Sequence, residues 1–489
     1  MRDTTPVVLG IDLGTTGVKV VAVDVGRGVV GTESAEHPTR HPGADGHEQD
    51  PDRWWSATCA ASRRLLRRLA DEGRPVVPAA VGLAGQMHSL LLLDGSTRPV
   101  RPAMTWADRR VGAATARLAR SPRFEAVTGN APVDAFTAPK LAWLAEHEPD
   151  ALARARHLVL AKDWLGLRLT GELATDPTDA LGTLLWDPAG ARWDEELFGL
   201  CGADARLGVP VLASAAVRGR VTRAAAAETG IPDGTPVVTG AGDVSAAAMG
   251  GGARLGGGLC LNVGTAAQVM GAAPDLRPGL GFVFGSADGA GFVRMASVYA
   301  AGASVRAFER DELDGGAIGP VAAGAPAGAR GLSYLPYMFG IVVPRKDDTV
   351  RGGFVGSAPE HTPAERAGAV LEGVAFACAD VVEAVAEQTG ARGTLTVVGG
   401  VASSPRFRAA LAATVCLRVR HVPAAGSPLA AAMLAGTGSG LLAGPEELLA
   451  LVPGEWVDPG PEAGEYREAR ARFRGRVEEM LAAAARDGR

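Results

Sequence analysis

Val7-Val8-Leu9-Gly10-Ile11-Asp12-Leu13-Gly14-Thr15-Thr16-Gly17-Val18-Lys19-Val20 decides how the rest of the chain is read. Two apolar, β-rich runs flank a turn that combines a carboxylate, small residues and hydroxyls, the pattern of a hairpin whose tip faces a ligand. Gly14 and Gly17 let the backbone come close to an anion and aim N–H groups at it, while Thr15 and Thr16 add hydroxyl donors suited to phosphoryl oxygens. Asp12 repels an anion, so its place here implies a divalent cation bridging to phosphates. An ordinary Gly-rich hairpin with a surface aspartate has the same composition, and the turn alone does not separate the two.

A second copy does. Gly258-Leu259-Cys260-Leu261-Asn262-Val263-Gly264-Thr265-Ala266 repeats the order of apolar strand, polar residue, spacer and Gly-Thr. Just upstream, Pro236-Val237-Val238-Thr239-Gly240-Ala241-Gly242-Asp243 is a strand ending in glycines and a carboxylate. Two phosphate-type turns, one in each half, predict a duplicated fold that closes around a nucleotide.

A chain of 489 residues exceeds one hydrophobic core, and its length predicts ~2–4 domains. Hydrophobic residues at 47% against 21% charged are ordinary for a globular protein. A net charge of −5 leaves no basic footprint and argues against a nucleic-acid partner. The apolar runs stop short of the ~20 residues of a membrane span, and no charged leader precedes the first strand, so the expected setting is cytoplasmic with no membrane partner. Cys59, Cys201, Cys260, Cys378 and Cys416 are odd in number and widely spaced, which predicts reduced, mostly buried thiols. Lysine occurs only at 19, 140, 162 and 346, against 45 arginines, the remainder of 49 basic residues. Ammonium and guanidinium differ in size and hydrogen-bond geometry, so these positions are expected to include some where arginine would not serve.

Along the chain, Val29 to Glu33 adds a further strand, and 41–50 form a polar loop. A helix starts at Asp50 or Pro51, with Trp54 and Trp55 as packing residues. Ala79 to Gly85 reads as a strand that ends in Gln86-Met87-His88, a position where open α/β sheets place ligand contacts and where an amide and an imidazole suit a hydroxylated ligand. Asp108 and Arg110 either pair on the surface or face a polyol. The stretch from Thr170 to Thr183, with Asp176 and Asp179, reads as an insertion carrying loops. A strand over 236–241 and a helix from about Val244 place the passage between halves near 245–255. Tyr334 to Gly356 is a long irregular segment, and loops of that length commonly have a function. A strong helix spans Pro363 to Gly390 with Glu372 on an apolar face. Strand–turn–helix units follow at Gly399-Gly400 and Val419, and the tail 445–489 reads as helical, charged and peripheral.

The order of these stretches resembles the FGGY family of carbohydrate kinases, within the actin-like ATPase superfamily, across nearly the whole chain. The carriers are GIDLGTTGVKV, EQDPDRWW, AGQMH, W-x-D-x-R, TAPKLAWL, GAGD, NVGTAA, RGGFVG with AVLEG, and VVGG; EQDPDRWW and AGQMH are most similar to the xylulokinase branch. The resemblance implies an α/β fold of two actin-like (ribonuclease H-like) domains with a cleft between them. Residues 1–248 would carry the sugar side and the first phosphate turn, and 249–489 the nucleotide side and the C-terminal helices. It implies ATP and Mg²⁺ as cofactors and a small sugar or polyol, D-xylulose first, as substrate; a homodimer is left open. By the same resemblance Asp243 is the catalytic carboxylate and Asp12, with Asp243, the metal side. Gln86, Met87, His88, Trp106 and Asp108 fall on the sugar side. Gly14, Thr15, Thr16, Lys19, Gly264, Thr265, Gly302, Gly399 and Gly400 fall on the nucleotide side. Asp243 is expected near its ordinary pKa, accepting a proton only late in the reaction.

The chain departs from the family pattern at Gly340-Ile341-Val342-Val343-Pro344-Arg345, where xylulokinases have a charged pair, and at Ala266-Ala267, Val401 and Val244. These departures imply a changed acceptor or weakened ATP binding. The rival readings are a kinase for ribulose, a tetritol or a glycerol-like polyol, a degenerate ATP-binding homologue, and a regulatory or chaperone-like ATP-binding protein.

Overall fold

The computed structural model describes residues 5–487, so residues 1–4 and 488–489, the outer ends of the two expected domains, lie outside the described residues. The opening hairpin forms as expected: β1 (Thr5–Leu13) and β2 (Gly17–Asp24) pair antiparallel, with Asp12 opposite Lys19. β3 (Gly28–Glu36) adds antiparallel to β2, and β4 (Val76–Gly85) lies parallel to β1 on its other side. β5 (Val217–Arg220), β6 (Pro236–Val238) and the short β7 (Ala241–Gly242) complete the sheet, whose order is β5-β6-β4-β1-β2-β3 with β7 also on β4.

Both faces of this sheet are covered, which is why β1 reads as an unbroken apolar run. Val7, Leu9, Ile11 and Leu13 face α1 (Pro51–Asp71), where Trp54 and Trp55 are buried as packing residues. Asp50 caps that helix by accepting from the Asp52 amide, a contact worth ~1 kcal/mol. The alternate residues Val8 and Val21 face a helix from the other half of the chain, α8 (Ser427–Gly438). The approach is close: a Cβ on Gly10 would lie 1.9 Å from the Pro428 carbonyl oxygen, and one on Gly82 would lie 1.8 Å from that of Ala431. Glycine at 10 and 82 is therefore a packing requirement.

The second sheet repeats the first. β8 (Leu259–Val263) pairs antiparallel with β9 (Ala267–Ala273), which pairs antiparallel with β11 (Phe292–Val298); β10 (Phe282–Gly285) lies at the edge. On its other side β8 runs parallel to β12 (Thr394–Val398), and β12 parallel to β13 (Arg418–His421). β8, β9, β11, β12 and β13 thus occupy the places of β1, β2, β3, β4 and β6, the duplicated α/β architecture expected from the two turns. The buried helix α6 (Pro363–Thr389) packs on this sheet. Glu372, on its apolar face, is 2% exposed and paired with Arg406 of α7 (Pro405–Thr414) at 2.6 Å.

Three expectations are corrected. The segment 170–183 carries loop over 171–176 but is not loop throughout. After α2 (Ala161–Thr170) the chain forms α3 (Pro177–Gly182), and Asp176 and Asp179 are buried with Asp163 around the Lys162 ammonium. The tail is not peripheral: α9 (Ala463–Asp487) sends Tyr466, Ala469, Phe473, Val477 and Leu481 into the core, and its Arg470 pairs with Asp380. Its charged residues mask that apolar stripe in the sequence. The strand expected over 236–241 is broken, because Gly240 takes φ +85° where a Cβ would strike the Leu83 carbonyl oxygen, and α4 (Asp243–Gly250) starts at Asp243. The four cysteines other than Cys416 are buried, and all five are free thiols. Among the described residues no helix is long and apolar enough to cross a membrane.

Candidate active site

The parallel strands bring the two carboxylates together. Asp12 is level with Ala84 of β4, Gly242 of β7 is level with Gly85, and Asp243 follows at once, so both acids flank the carboxyl end of β4. Ligands of open α/β sheets bind at such strand ends. Asp243 Oδ1 accepts from the Val244 amide at 2.9 Å and lies 3.4 Å from the Met87 amide. Burial pushes its carboxyl up to about 7, and the neighbouring Asp12 charge pushes in the same direction. The ordinary pKa expected for Asp243 is therefore replaced by one near neutrality. Asp12 is also raised by burial, against a 2.6 Å hydrogen bond donated by Ser427 to its Oδ2 and the opposing charge of Lys19. Its Oδ1 is buried without a partner.

The turn 86–88 follows β4 directly. Gln86 is buried, and its Nε2 donates to Gln49 Oε1 at 2.8 Å. Gln49 is fully used: it donates to the Thr15 carbonyl at 2.8 Å and to Thr39 Oγ1 at 2.7 Å, and it also accepts from the Trp54 indole at 2.8 Å. One amide thereby joins the turn 86–88 to the turn that follows β1. Met87 is buried, and His88 sits at φ +66° with Nδ1 donating to the Gly182 carbonyl at 2.7 Å. Burial lowers the His88 pKa to about 3, so the ring is neutral, with Phe136 edge-on at 4.7 Å. Phe136 is placed by Lys140, whose ammonium donates to the carbonyls of Asp134, Ala135 and Phe136 at 3.0, 2.7 and 2.9 Å.

Trp106 is partly exposed and donates from its indole to Thr15 Oγ1 at 2.9 Å. Thr16 and Lys19 are exposed beside it in the hairpin, and Gly14 closes the turn on the Gly17 carbonyl at 2.9 Å. Asp108 takes the first of its two alternatives, the pair with Arg110, although buried rather than on the surface. Both of its oxygens are taken by the Arg110 guanidinium, at 2.6 and 3.0 Å, and by the His47 amide at 3.0 Å, in a buried pair that also reaches Glu48. Burial raises its carboxyl but the Arg110 bonds outweigh that, so it stays ionised and saturated, with no acceptor left for a sugar.

The second turn opens elsewhere. Val263, Gly264, Thr265, Gly302, Gly400 and Arg306 line a cavity of about 900 Å³ in the second half, a size that suits a nucleotide. The N-terminus of α5 (Ala301–Glu312) abuts this turn, where Gly302 N donates to the Gly264 carbonyl at 3.0 Å. A Cβ there would lie 2.3 Å from that oxygen. Gly399, just outside the lining, packs on Val263 at φ +99°. Gln49 and Ser427 were missed by sequence reasoning. Gln49 lies inside EQDPDRWW, which carries the family resemblance without singling out this glutamine; nothing local marks Ser427, which reaches Asp12 only through the docking of α8.

Comparison with known proteins agrees with this fold. Models of the FGGY family of carbohydrate kinases match residues 7–250 with the N-terminal domain and 259–439 with the C-terminal domain. The xylulose kinase of Escherichia coli is 33% identical over 411 residues, which is 83% of this chain and 84% of that protein. Among solved structures, a xylulose kinase from Brucella ovis superposes with a TM-score of 0.88 at 29% identity, covering 98% of this chain and all of that one. A gluconate kinase from Lactobacillus acidophilus superposes with a TM-score of 0.85 at 26% identity over 98% of each chain. With both halves matched in order on a duplicated α/β fold, the chain belongs to the FGGY family of carbohydrate kinases and is a sugar phosphotransferase.

Proposed function

We propose that the chain transfers the γ-phosphoryl group of ATP to a primary hydroxyl of a ketopentose, D-xylulose giving D-xylulose 5-phosphate. The observation that carries this reading is the meeting of Asp12 and Asp243 at the end of β4, with the Asp243 carboxyl tuned to about 7. In the reaction the sugar hydroxyl oxygen forms a bond to the γ-phosphorus and the bond from that phosphorus to the β,γ-bridging oxygen breaks, releasing ADP. The hydroxyl proton passes to Asp243. A base matched to neutral pH transfers protons more effectively than an ordinary aspartate, and phosphoryl transfer otherwise relies on positioning and electrostatics.

Gln86, Met87 and neutral His88 would hold the sugar on the first half, and the cavity around Gly264 and Arg306 the nucleotide on the second. The residues present fit Mg²⁺: Asp12 Oδ1 is a buried acceptor with no hydrogen-bond partner. Mg²⁺ commonly takes one or two carboxylates plus substrate phosphates. Held by Asp12, it would neutralise phosphate charge and leave the Asp243 carboxyl free to take the proton.

D-xylulose is favoured by the xylulose kinase relatives. Ketoses, polyols and gluconate, each supplied with ATP and Mg²⁺ and assayed for ADP, test the assignment. The expected result is the highest kcat/KM with D-xylulose; a higher value with ribulose, glycerol or gluconate overturns it.

A further inference from the structure

We propose that Thr178, held by the buried Lys162–Asp176 pair, is a positioning residue that fixes the Gly242 amide and through it the carboxyl of Asp243. The inference rests on the assignment of Asp243 as the base. Thr178 Oγ1 lies 2.7 Å from Asp176 Oδ2 and 2.8 Å from the Gly242 nitrogen. A carboxylate only accepts and an amide N–H only donates, so the hydroxyl has one available orientation: it donates to Asp176 and accepts from Gly242.

Asp176 is itself pinned. Its Oδ2 also accepts from the Thr178 amide at 3.0 Å and from Ser214 Oγ at 2.8 Å, and its Oδ1 faces the Lys162 ammonium at 3.0 Å. Lys162 further contacts Asp163 at 2.6 Å and Asp179 at 3.1 Å, with all of these groups at most 1% exposed apart from Ser214. The Ser214 carbonyl accepts from the Gly240 amide at 2.9 Å, a second hold on the same turn.

Three carboxylates buried on one ammonium are a poor way to stabilise a fold, since apolar packing of equal volume commonly does as well or better. The place of this cluster gives it a different use. A Cβ on Gly242 would lie 3.0 Å from Asp179 Oδ1, and one on Gly85 would lie 3.0 Å from Lys162 Cβ, so the cluster sits directly under the base-bearing turn. The far end of the same six-residue helix holds the sugar-side turn, where the Gly182 carbonyl accepts from His88. Helix α3 therefore grips both turns, and Thr178 is its contact with the one that carries Asp243.

Misplacement of a reacting group by ~1 Å costs on the order of 10²-fold in rate. Thr178→Val should therefore lower kcat by ~10–100-fold while KM for sugar and ATP stays within ~3-fold, and Thr178→Ser should restore kcat to within ~3-fold. Thr229→Val is the control. It removes a buried hydroxyl bonded to the Ala225 carbonyl at 2.7 Å in the helix Arg223–Thr229, which packs on α1 and α2; it should lower Tm and leave kcat unchanged. Should Thr178→Val fail to fold, Thr178→Ala, which removes the hydroxyl without placing a second methyl against Asp176, carries the same expectation. The proposal is overturned by a kcat within ~3-fold of wild type, by a loss that serine does not restore, or by an equal kcat loss in Thr229→Val. Asp243→Asn, assayed in parallel, separates the two readings: if it keeps wild-type turnover the base assignment fails, and if it is inactive while Thr178→Val is normal only the positioning role fails.

Discussion

The two phosphate-type turns occupy the same place in two copies of one sheet, yet one side chain separates their chemistry. Two residues before the glycine, the first turn has Asp12, orphaned at Oδ1 and coupled to Asp243. The second has the neutral Asn262, and its turn opens on the cavity of about 900 Å³ lined by Arg306 and Arg406. The repeat gives each half a Gly-Thr turn, at 14–15 and at 264–265, of a composition that suits an anion. A carboxylate at both turns would set two negative groups against one polyphosphate, so a division in which one half does chemistry and the other holds the nucleotide needs the asymmetry.

Exchanging those two side chains is the strongest way to break the comparison. Asp12→Asn, which makes the first turn resemble the second, should lower kcat by ~10²-fold or more. Asn262→Asp, the reverse, should raise KM for ATP by ~10-fold and leave kcat within ~3-fold, because it affects binding alone. Steady-state kinetics that give both variants the same signature would remove the distinction.

The pH profile sharpens it. Only the first turn lies beside an acid tuned near neutrality, with Asp243 raised to about 7 by burial and by Asp12. The base must be ionised, so kcat/KM of the free enzyme should fall about tenfold per pH unit below 7 and level off above; a flat profile from pH 5 to 8 contradicts the assignment. A smaller effect is expected from Gly302→Ala. Its Cβ would lie 2.3 Å from the Gly264 carbonyl oxygen and push the second turn outward, raising KM for ATP by ~3–10-fold with kcat little changed.

The smallest effect is on stability. The folded-state pKa of Asp243 lies above its unfolded value of about 3.8, so ionising it in the fold is unfavourable. That cost is absent below the unfolded pKa, grows as pH rises, and is complete above about 7. Asp243→Asn should therefore stabilise the ligand-free protein at pH 8 by ~1–2 kcal/mol, less than the full shift would give because Asp243 is only half-buried, and the gain should fall away toward pH 4. Denaturant unfolding at the two pH values checks both the sign and the window.

The duplicated sheet was legible because its strands are apolar runs punctuated by Gly and Thr at matching offsets, signals that lie within ten residues of one another. Asp12, Asp243 and the 86–88 turn could be placed for the same reason, at the ends of recognisable strands. The Lys162 cluster was not legible, since Asp176 and Asp179 sit in a short polar segment that reads as a loop until Lys162, from a separate helix, neutralises part of their charge. Asp108 stayed open between two readings because two residues of separation do not say whether Arg110 turns back to saturate it. The docking of α8 on the first sheet, which brings Ser427 to Asp12, joins residues over four hundred positions apart and leaves only Gly10 and Gly82 as local traces.

The most direct test is D-xylulose-dependent ADP formation by Asp243→Asn at pH 8, alongside ATP affinity measured by calorimetry. Asp243 as the proton acceptor predicts turnover reduced by ~10²-fold or more with ATP affinity within ~3-fold of wild type. Turnover close to wild type would contradict it.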